Sequence, residues 1–200
     1  MHRATSSIAV ADTQERVRQA PLDLFTRDGY QSTSLRDLAA HLGMQAGSLY
    51  NHIENKQSLL FDLMDEALDA LLAATRSNIK RGRTREERIR LFVQTSLDFQ
   101  ARERKRLALI NREIVNLSDE QREHITQQVD EYTRCLKCVI AGHANCAAPN
   151  NSRLDLLSGA IIGMLQGLHL WGSEAVRAPL GDQVEQMTRM INGAIGAATA

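Results

Sequence analysis

The sequence predicts an all-α protein of about nine helices. Three observations carry that expectation: apolar residues recur with the helical period, no stretch alternates apolar and polar for long, and only three prolines interrupt 200 residues. The makeup, 43% apolar and 24% charged, is that of an ordinary globular chain long enough to bury a core. Net charge is formally zero, so no global polycation announces nucleic acid. The charge is uneven, however. Arg76 to Arg106 holds eleven Lys/Arg against four Asp/Glu, a net of +7 balanced by −7 elsewhere. The plain meaning of such a run is a solvated helix surface.

The elements follow in order. A first helix starts after Asp12, with Glu15 completing a capping box, shows Val17, Leu24 and Phe25 on one face, and ends at Asp28-Gly29. Pro21 inside it predicts a kink, at about 3 kcal/mol if uncompensated. A short helix opens on Ser34 with Asp37 and turns Leu35, Leu38 and Ala39 inward. Gly43 supplies the tight turn to a second short helix from Gln45 to His52, with Leu49 and Ile53 inward. Asn55 caps a long helix striped by Leu60, Leu63, Met64, Ala67, Leu68, Leu71 and Leu72. Capping boxes at Thr84/Glu87, Ser118/Gln121 and Ser152/Asp155 precede three further stripes: Ile89–Leu97, Ile125–Val129–Tyr132–Leu136–Val139, and Leu154–Leu168. A last helix carries Val184, Met187 and Ile191. The expected division is an N-terminal three-helix helix-turn-helix domain over 10–70 and a C-terminal helical domain over 71–200.

Two short helices joined by a glycine turn present the second to a major groove, so double-stranded DNA is the expected partner. Gln45, Ser48, Asn51 and His52 can bond base edges or phosphates, while Ala46 and Gly47 let the backbone come close. Tyr50 can donate its hydroxyl to a phosphate. Lys56 stands at a helix start, where an amide and an ammonium together suit a phosphate.

These residues also carry a resemblance. Phe25-Thr26-Arg27-Asp28-Gly29-Tyr30, Thr33-Ser34-Leu35-Arg36-Asp37-Leu38-Ala39 and Gly47 through Lys56 resemble the DNA-binding signature of TetR-type transcriptional regulators, over about a quarter of the chain. The resemblance implies that Ser34, Tyr50 and Lys56 grip phosphates. It places Arg36, Gln45, Ala46, Gly47 and Ser48 near bases, with Asn51 and His52 at the groove edge. Gln45 departs from the usual Ser or Thr cap and Pro21 from the usual Ala. The implied function is a repressor released from its operator by a small molecule; the alternative is an activator or a ligand-independent DNA-binding dimer.

Gly159, Gly163 and Gly167 fall on one stripe, a spacing that permits close backbone contact between helices. TetR-like proteins dimerise through their last two long helices, here Arg153–Trp171 and Asp182–Gly196. The expected homodimer interface therefore joins those glycines to Val184, Met187 and Ile191. The middle of the chain, Leu59 to Asn145, could surround an apolar effector. Arg102 to Ser118 and Trp171 loosely resemble regulators of acyl-CoA catabolism, which implies an acyl-CoA effector with the basic stretch on its phosphates.

Several readings are set aside. Cys135, Cys138, His143 and Cys146 approach a zinc-knuckle spacing, but the last interval is two residues instead of four, and packing beside a stripe explains the thiols. No metal and no cofactor are expected. His52-Ile53-Glu54 with the later Cys-x-x-Cys suggests a zinc deaminase, yet Arg134 rather than Pro precedes Cys135 and some eighty residues separate the parts. No enzyme is expected. The N-terminal ten residues are not a secretory signal, and Asp155, Gln166 and His169 make Leu154–Trp171 too polar to span a membrane. Three cysteines form no disulfide framework, and a reducing cytoplasm is expected.

Overall fold

The computed structural model describes residues 19–50, 53–142, 151–170 and 178–199. Expectations placed on Asp12, Glu15, Val17, Asn51, His52, His143, Cys146 and Trp171 lie outside them, as does the start of the helix that Pro21 was to kink. Among the described residues there are nine α-helices and no strand. They are α1 (described over 19–28), α2 (Leu35–Leu42), α3 (Ala46–Leu49), α4 (Lys56–Ile79), α5 (Arg85–Arg102), α6 (Arg104–Glu113), α7 (Asp119–Ile140), α8 (Ser152–Leu170) and α9 (Leu180–Thr199), with a 3-10 turn at Ile114–Asn116. The second short helix is thus four described residues, shorter than the periodicity suggested.

The helix starts are made by the side chains that predict them. Ser34 with Asp37 and Thr84 with Glu87 form reciprocal capping boxes. Ser118 and Gln121 bond each other's backbone N–H in the same way. The Asn55 side chain accepts the Ser58 N–H at 2.8 Å. The α8 start is a correction. Asn151, not Ser152, is the cap: its side chain accepts the Arg153 N–H at 3.0 Å and its carbonyl the Asp155 N–H at 2.9 Å.

The chain falls into two compact units. The first holds residues up to 67 together with 105–125. Its core comprises Phe25, Leu38, Leu49, Leu60 and Met64, each almost wholly buried. The 105–125 segment bonds to the rest of this unit at several points: Arg112 Nη2 donates to the Phe25 carbonyl at 3.1 Å, Gln57 to the Asn116 carbonyl at 2.8 Å, and Lys105 pairs with Asp23.

The second unit holds 68–104 and 126–200. Here α9 lies against α5 and α8, and α5 against α8. Ile89, Phe92, Val93, Leu97, Leu136, Val139, Ile161, Leu165, Ile191 and Ile195 make the core. Two expectations are corrected. Val129 is exposed and Gln128 takes its inward place, with its amide on Asp69 at 2.8 Å. Val184, Met187 and Ile191, assigned to a subunit interface, are already buried by this chain's own packing. They are core residues because α9 turns this stripe onto its own unit. Among the described cysteines, Cys135 is a free thiol and Cys138 is buried beside the α7 stripe.

No helix among the described residues is long and apolar enough to cross a membrane. Because Ile191 is wholly buried within one chain, Ile191→Ala should destabilise the folded subunit by about 2–5 kcal/mol. Urea unfolding at several protein concentrations checks this: a core residue gives a loss that dilution does not change.

Candidate nucleic-acid interface

The turn between α2 and α3 begins with a glycine that only a glycine suits. Gly43 has φ +65°, in the left-handed region where a Cβ is strained. Its N–H reaches the Ala40 carbonyl at 3.1 Å and the Met44 N–H reaches the Ala39 carbonyl at 2.9 Å. This pair of bonds is the Schellman motif, which satisfies the last carbonyls of α2 and ends it sharply. The chain re-enters helix at once, with the Gln45 carbonyl accepting the Ser48 N–H at 2.9 Å. Leu49 and Ile53 are buried, which anchors the inner face of α3.

The other side of α3 is open. Gln45, Gly47, Ser48 and Tyr50 are exposed, and so are Ser34 and Arg36 at the start of α2. Tyr50 is 55% exposed, unusual for so large a ring. No atom of the described residues stands within 4 Å of where a Cβ on Gly47 would lie, so they leave the backbone there approachable. Ala46 is the first residue of α3. Asn51 and His52 lie outside the described residues.

Two of the expected phosphate ligands are occupied. The Ser34 hydroxyl accepts the Asp37 N–H at 3.2 Å and gives its proton to Asp37 Oδ2 at 2.6 Å. Its role in the fold is the cap. Lys56 departs further from expectation. Its ammonium donates to the Tyr30 carbonyl at 2.9 Å and the Thr33 carbonyl at 3.1 Å, with the Gln31 carbonyl at 3.5 Å, and it lies 4.3 Å over the Tyr30 ring. It closes the turn between α1 and α2 instead of standing out in solvent, because those carbonyls have no helical donor.

Sequence reasoning missed Gln31 and Asn116. The Gln31 side chain, exposed just before α2, donates to Asn116 Oδ1 at 2.5 Å. Asn116 in turn donates to Glu113 at 2.9 Å, and Arg112 Nε holds the same buried carboxylate at 2.8 Å. No local pattern marks residues 85 positions apart as partners.

An exposed short helix, locked by a glycine turn onto a capped one, makes this a helix-turn-helix protein. A model of the tetracyclin repressor-like C-terminal domain matches residues 82–194, and a model of the bacterial regulatory proteins of the tetR family matches 19–63. The chain therefore belongs to the TetR family of bacterial regulatory proteins. It is 35% identical over 81 residues to an HTH-type transcriptional regulator of Saccharopolyspora erythraea, covering 40% of this chain and 33% of the relative. It is 31% identical over 75 residues to the HTH-type transcriptional repressor KstR2 of Rhodococcus jostii, covering 38% of this chain and 37% of that one. The match thus spans about a third of the length of these curated relatives. In fold it is similar to the TetR family regulator PfmR of Thermus thermophilus, with a TM-score of 0.76 and 22% identity over 88% of this chain and 96% of that one. It is likewise similar to AibR in complex with isovaleryl coenzyme A and operator DNA, with a TM-score of 0.71 and 22% identity over 88% and 97% of the two chains.

Two consequences are measurable. Lys56→Met should lower stability by about 1–3 kcal/mol, since it strands turn carbonyls that a charged donor now serves. Amide exchange should speed up first at residues 30–38. The second concerns acid. The Ser34 hydroxyl and N–H hold the Asp37 carboxyl below its ordinary range. A lowered folded value means that the cap contributes fully above about pH 4 and is lost as pH falls through the lowered value. Acid titration of the parent beside Asp37→Asn should show the stability gap closing below pH 4, and a gap that widens there would contradict the assignment.

Proposed function

We propose that the protein is a DNA-binding transcriptional regulator that acts as a homodimeric repressor and is released from its operator by a small-molecule effector. The observation that carries the DNA part is the exposed face of α3 and the start of α2: Arg36, Gln45, Ser48 and Tyr50 stand in solvent on a rigid turn. Arg36 and Gln45 reach base edges, Ala46, Gly47 and Ser48 allow the close approach, and Tyr50 meets a phosphate. Ser34 and Lys56 act by holding the reader in shape, and Asn51 and His52 complete its edge. In this division of labour residues 10–70 read DNA and 71–200 take the effector and dimerise. The regulatory names of the two curated relatives support the same direction.

Half-site recognition by a helix-turn-helix calls for a two-fold dimer. The glycine face of α8 supports one. No atom of the described residues lies within 4 Å of a Cβ built on Gly159, Gly163 or Gly167, so none of the described residues uses the close approach these glycines permit. Beside them Leu156 is 77% exposed, and on α9 Met190 is 56% exposed next to an open position at Gly193. A second copy covers this surface.

The effector we propose is an acyl-CoA. AibR, a similar fold, has been solved with isovaleryl coenzyme A. The basic stretch supplies cations for the phosphates, but not all of it is available. Arg76 pairs with Glu131 and Arg102 with Asp98, while Arg106 is mostly buried 3.9 Å from Glu66. Lys80, Arg81, Arg83, Arg85 and Arg90 are exposed, with Arg83 near Glu87 and Arg90 near Glu185, and Lys80, Arg81 and Arg85 are the better phosphate ligands.

A mobility-shift assay on the region upstream of its own gene tests DNA binding, which should weaken steeply with salt. Tyr50→Phe should weaken all sequences about equally, whereas Arg36→Ala should change operator preference by about 1–3 kcal/mol per lost base contact. Gly163→Leu should give folded monomers in sedimentation, and a dimer of parental affinity would place the interface elsewhere. A CoA thioester should release the operator where the matching free acid does so poorly. A screen in which only aromatic drugs release it would remove the acyl-CoA proposal and leave DNA binding standing.

A further inference from the structure

Two donors expected to grip phosphates are spent inside the helix-turn-helix unit. An ammonium carries three protons, and that of Lys56 faces the Tyr30 and Thr33 carbonyls, with the Gln31 carbonyl at 3.5 Å. A hydroxyl carries one, and that of Ser34 goes to Asp37 Oδ2. The same carboxylate takes the Ser34 N–H at 2.8 Å, so the start of α2 already holds an anion. A DNA phosphate at this edge is left to another group.

Gln31 stands between those two helix starts. It is exposed, it lies three residues before the Ser34 cap, and its carbonyl faces the Lys56 ammonium. Its side-chain amide is held in place. Nε2 donates to Asn116 Oδ1 at 2.5 Å, and Asn116 Nδ2 donates to Glu113 Oε2 at 2.9 Å. Glu113 is buried, and Arg112 Nε holds its other oxygen at 2.8 Å. The Asn116 carbonyl accepts the Gln57 amide at 2.8 Å, which fixes its backbone as well.

The carboxylate sets the polarity of this chain. An ionised carboxylate only accepts, so Asn116 must turn its NH2 group toward Glu113. The Asn116 oxygen then faces Gln31, and Gln31 must answer with its own NH2 group. That group has two protons. One is on Asn116, and no hydrogen bond among the described residues takes the other. A free surface glutamine loses side-chain entropy when it is ordered by a ligand. Here the fold has ordered the amide beforehand, so a bond from it to a ligand is the stronger for it.

We infer that Gln31 is a further DNA-backbone contact of the reader, giving its second amide proton to a phosphate oxygen, and that Asn116 and Glu113 are its positioning residues. This rests on the DNA reading proposed above and adds a contact that the helix-turn-helix signature does not mark. The contact is neutral. It strengthens binding without displacing a counterion, and a phosphate carries no sequence information.

The test uses the full-length protein and the operator fragment it retains from the region upstream of its gene. Gln31→Met keeps the length of the side chain and removes the amide, and should bind that fragment about three- to tenfold more weakly. The loss should be alike for unrelated DNA, and the slope of affinity against salt should stay that of the parent. Phosphate ethylation interference reads the contact itself: one phosphate in each half-site should matter to the parent and not to Gln31→Met. Asn116→Leu should lower the sensitivity at that same phosphate, and combining it with Gln31→Met should weaken binding no further. Glu113→Gln should lower it too, because an amide at 113 no longer dictates which way Asn116 faces. An interference pattern common to the parent and Gln31→Met overturns the contact. Unchanged sensitivity at that phosphate in both Asn116→Leu and Glu113→Gln, or additive losses in the double variant, overturns the positioning roles. A parent protein that binds neither the operator region nor unrelated DNA at low salt overturns the DNA reading and the contact together.

Discussion

The helix-turn-helix unit hangs on an ammonium group that reaches back over a turn. Between α1 and α2 the chain reverses through Gly29, whose φ of +87° no larger residue adopts comfortably. A reversal this tight leaves carbonyls pointing away from any helix, and an unserved carbonyl is expensive once it is partly buried. Lys56 answers from the first turn of α4, with bonds to Tyr30 and Thr33. The same contact sets its charge over the Tyr30 ring, which in turn meets Phe25 edge-on at 5.2 Å. The end of α1, the start of α2 and the start of α4 are therefore tied through one side chain. Gly43 and the Ser34 cap then carry that fixed position along α2 to α3. A reading surface needs such rigidity, since base contacts are lost with small displacements.

A second set of bonds reaches the same region from residues 105–125. Glu113 is a buried carboxylate, and a buried charge is tolerable only when it is well bonded. Arg112 and Asn116 provide those bonds, and both extend outward, to the Phe25 carbonyl and to Gln31. The helix-turn-helix is thus braced by chain that the family models assign to the C-terminal domain.

How much of this the sequence could say depends on the range of the interaction. Short-range chemistry was legible. The caps at Ser34, Asn55, Thr84 and Ser118, the glycine turn at Gly43 and the stripe from Leu60 to Leu72 are set by residues three to seven positions apart, and each has a side-chain signature. The break between α5 and α6 was not, because Glu103 is neither glycine nor proline and the helix simply ends there with φ −107° and ψ 27°. The Lys56 turn and the Asn116 brace depend on separations of 23 to 85 residues. A lysine beside a DNA-binding signature reads as a phosphate ligand until the carbonyls near it are known. Asn151 replaced Ser152 as a cap for a smaller reason: two adjacent residues with capping side chains compete, and boundaries are uncertain by a residue.

The last two helices show why periodicity finds a buried face more readily than a shared one. Val184, Met187, Ile191 and Ile195 repeat at the helical spacing and are large, so they dominate any reading of α9. They fill their own subunit. The opposite face of the pair is made of glycines, with Leu156 and Met190 as isolated large side chains, and such a face has little hydrophobic signal because glycine contributes no side chain. Its meaning comes from cost. A glycine inside a helix is about 1 kcal/mol worse than alanine, and the open space at Gly159, Gly163 and Gly167 means that no contact within the described residues offsets that penalty. In the dimer proposed above, a partner helix at close range would offset it, since it gains backbone approach that an alanine would block. The same helix pair can therefore build the core with one face and meet a second subunit with the other, and only the first function is written in large side chains.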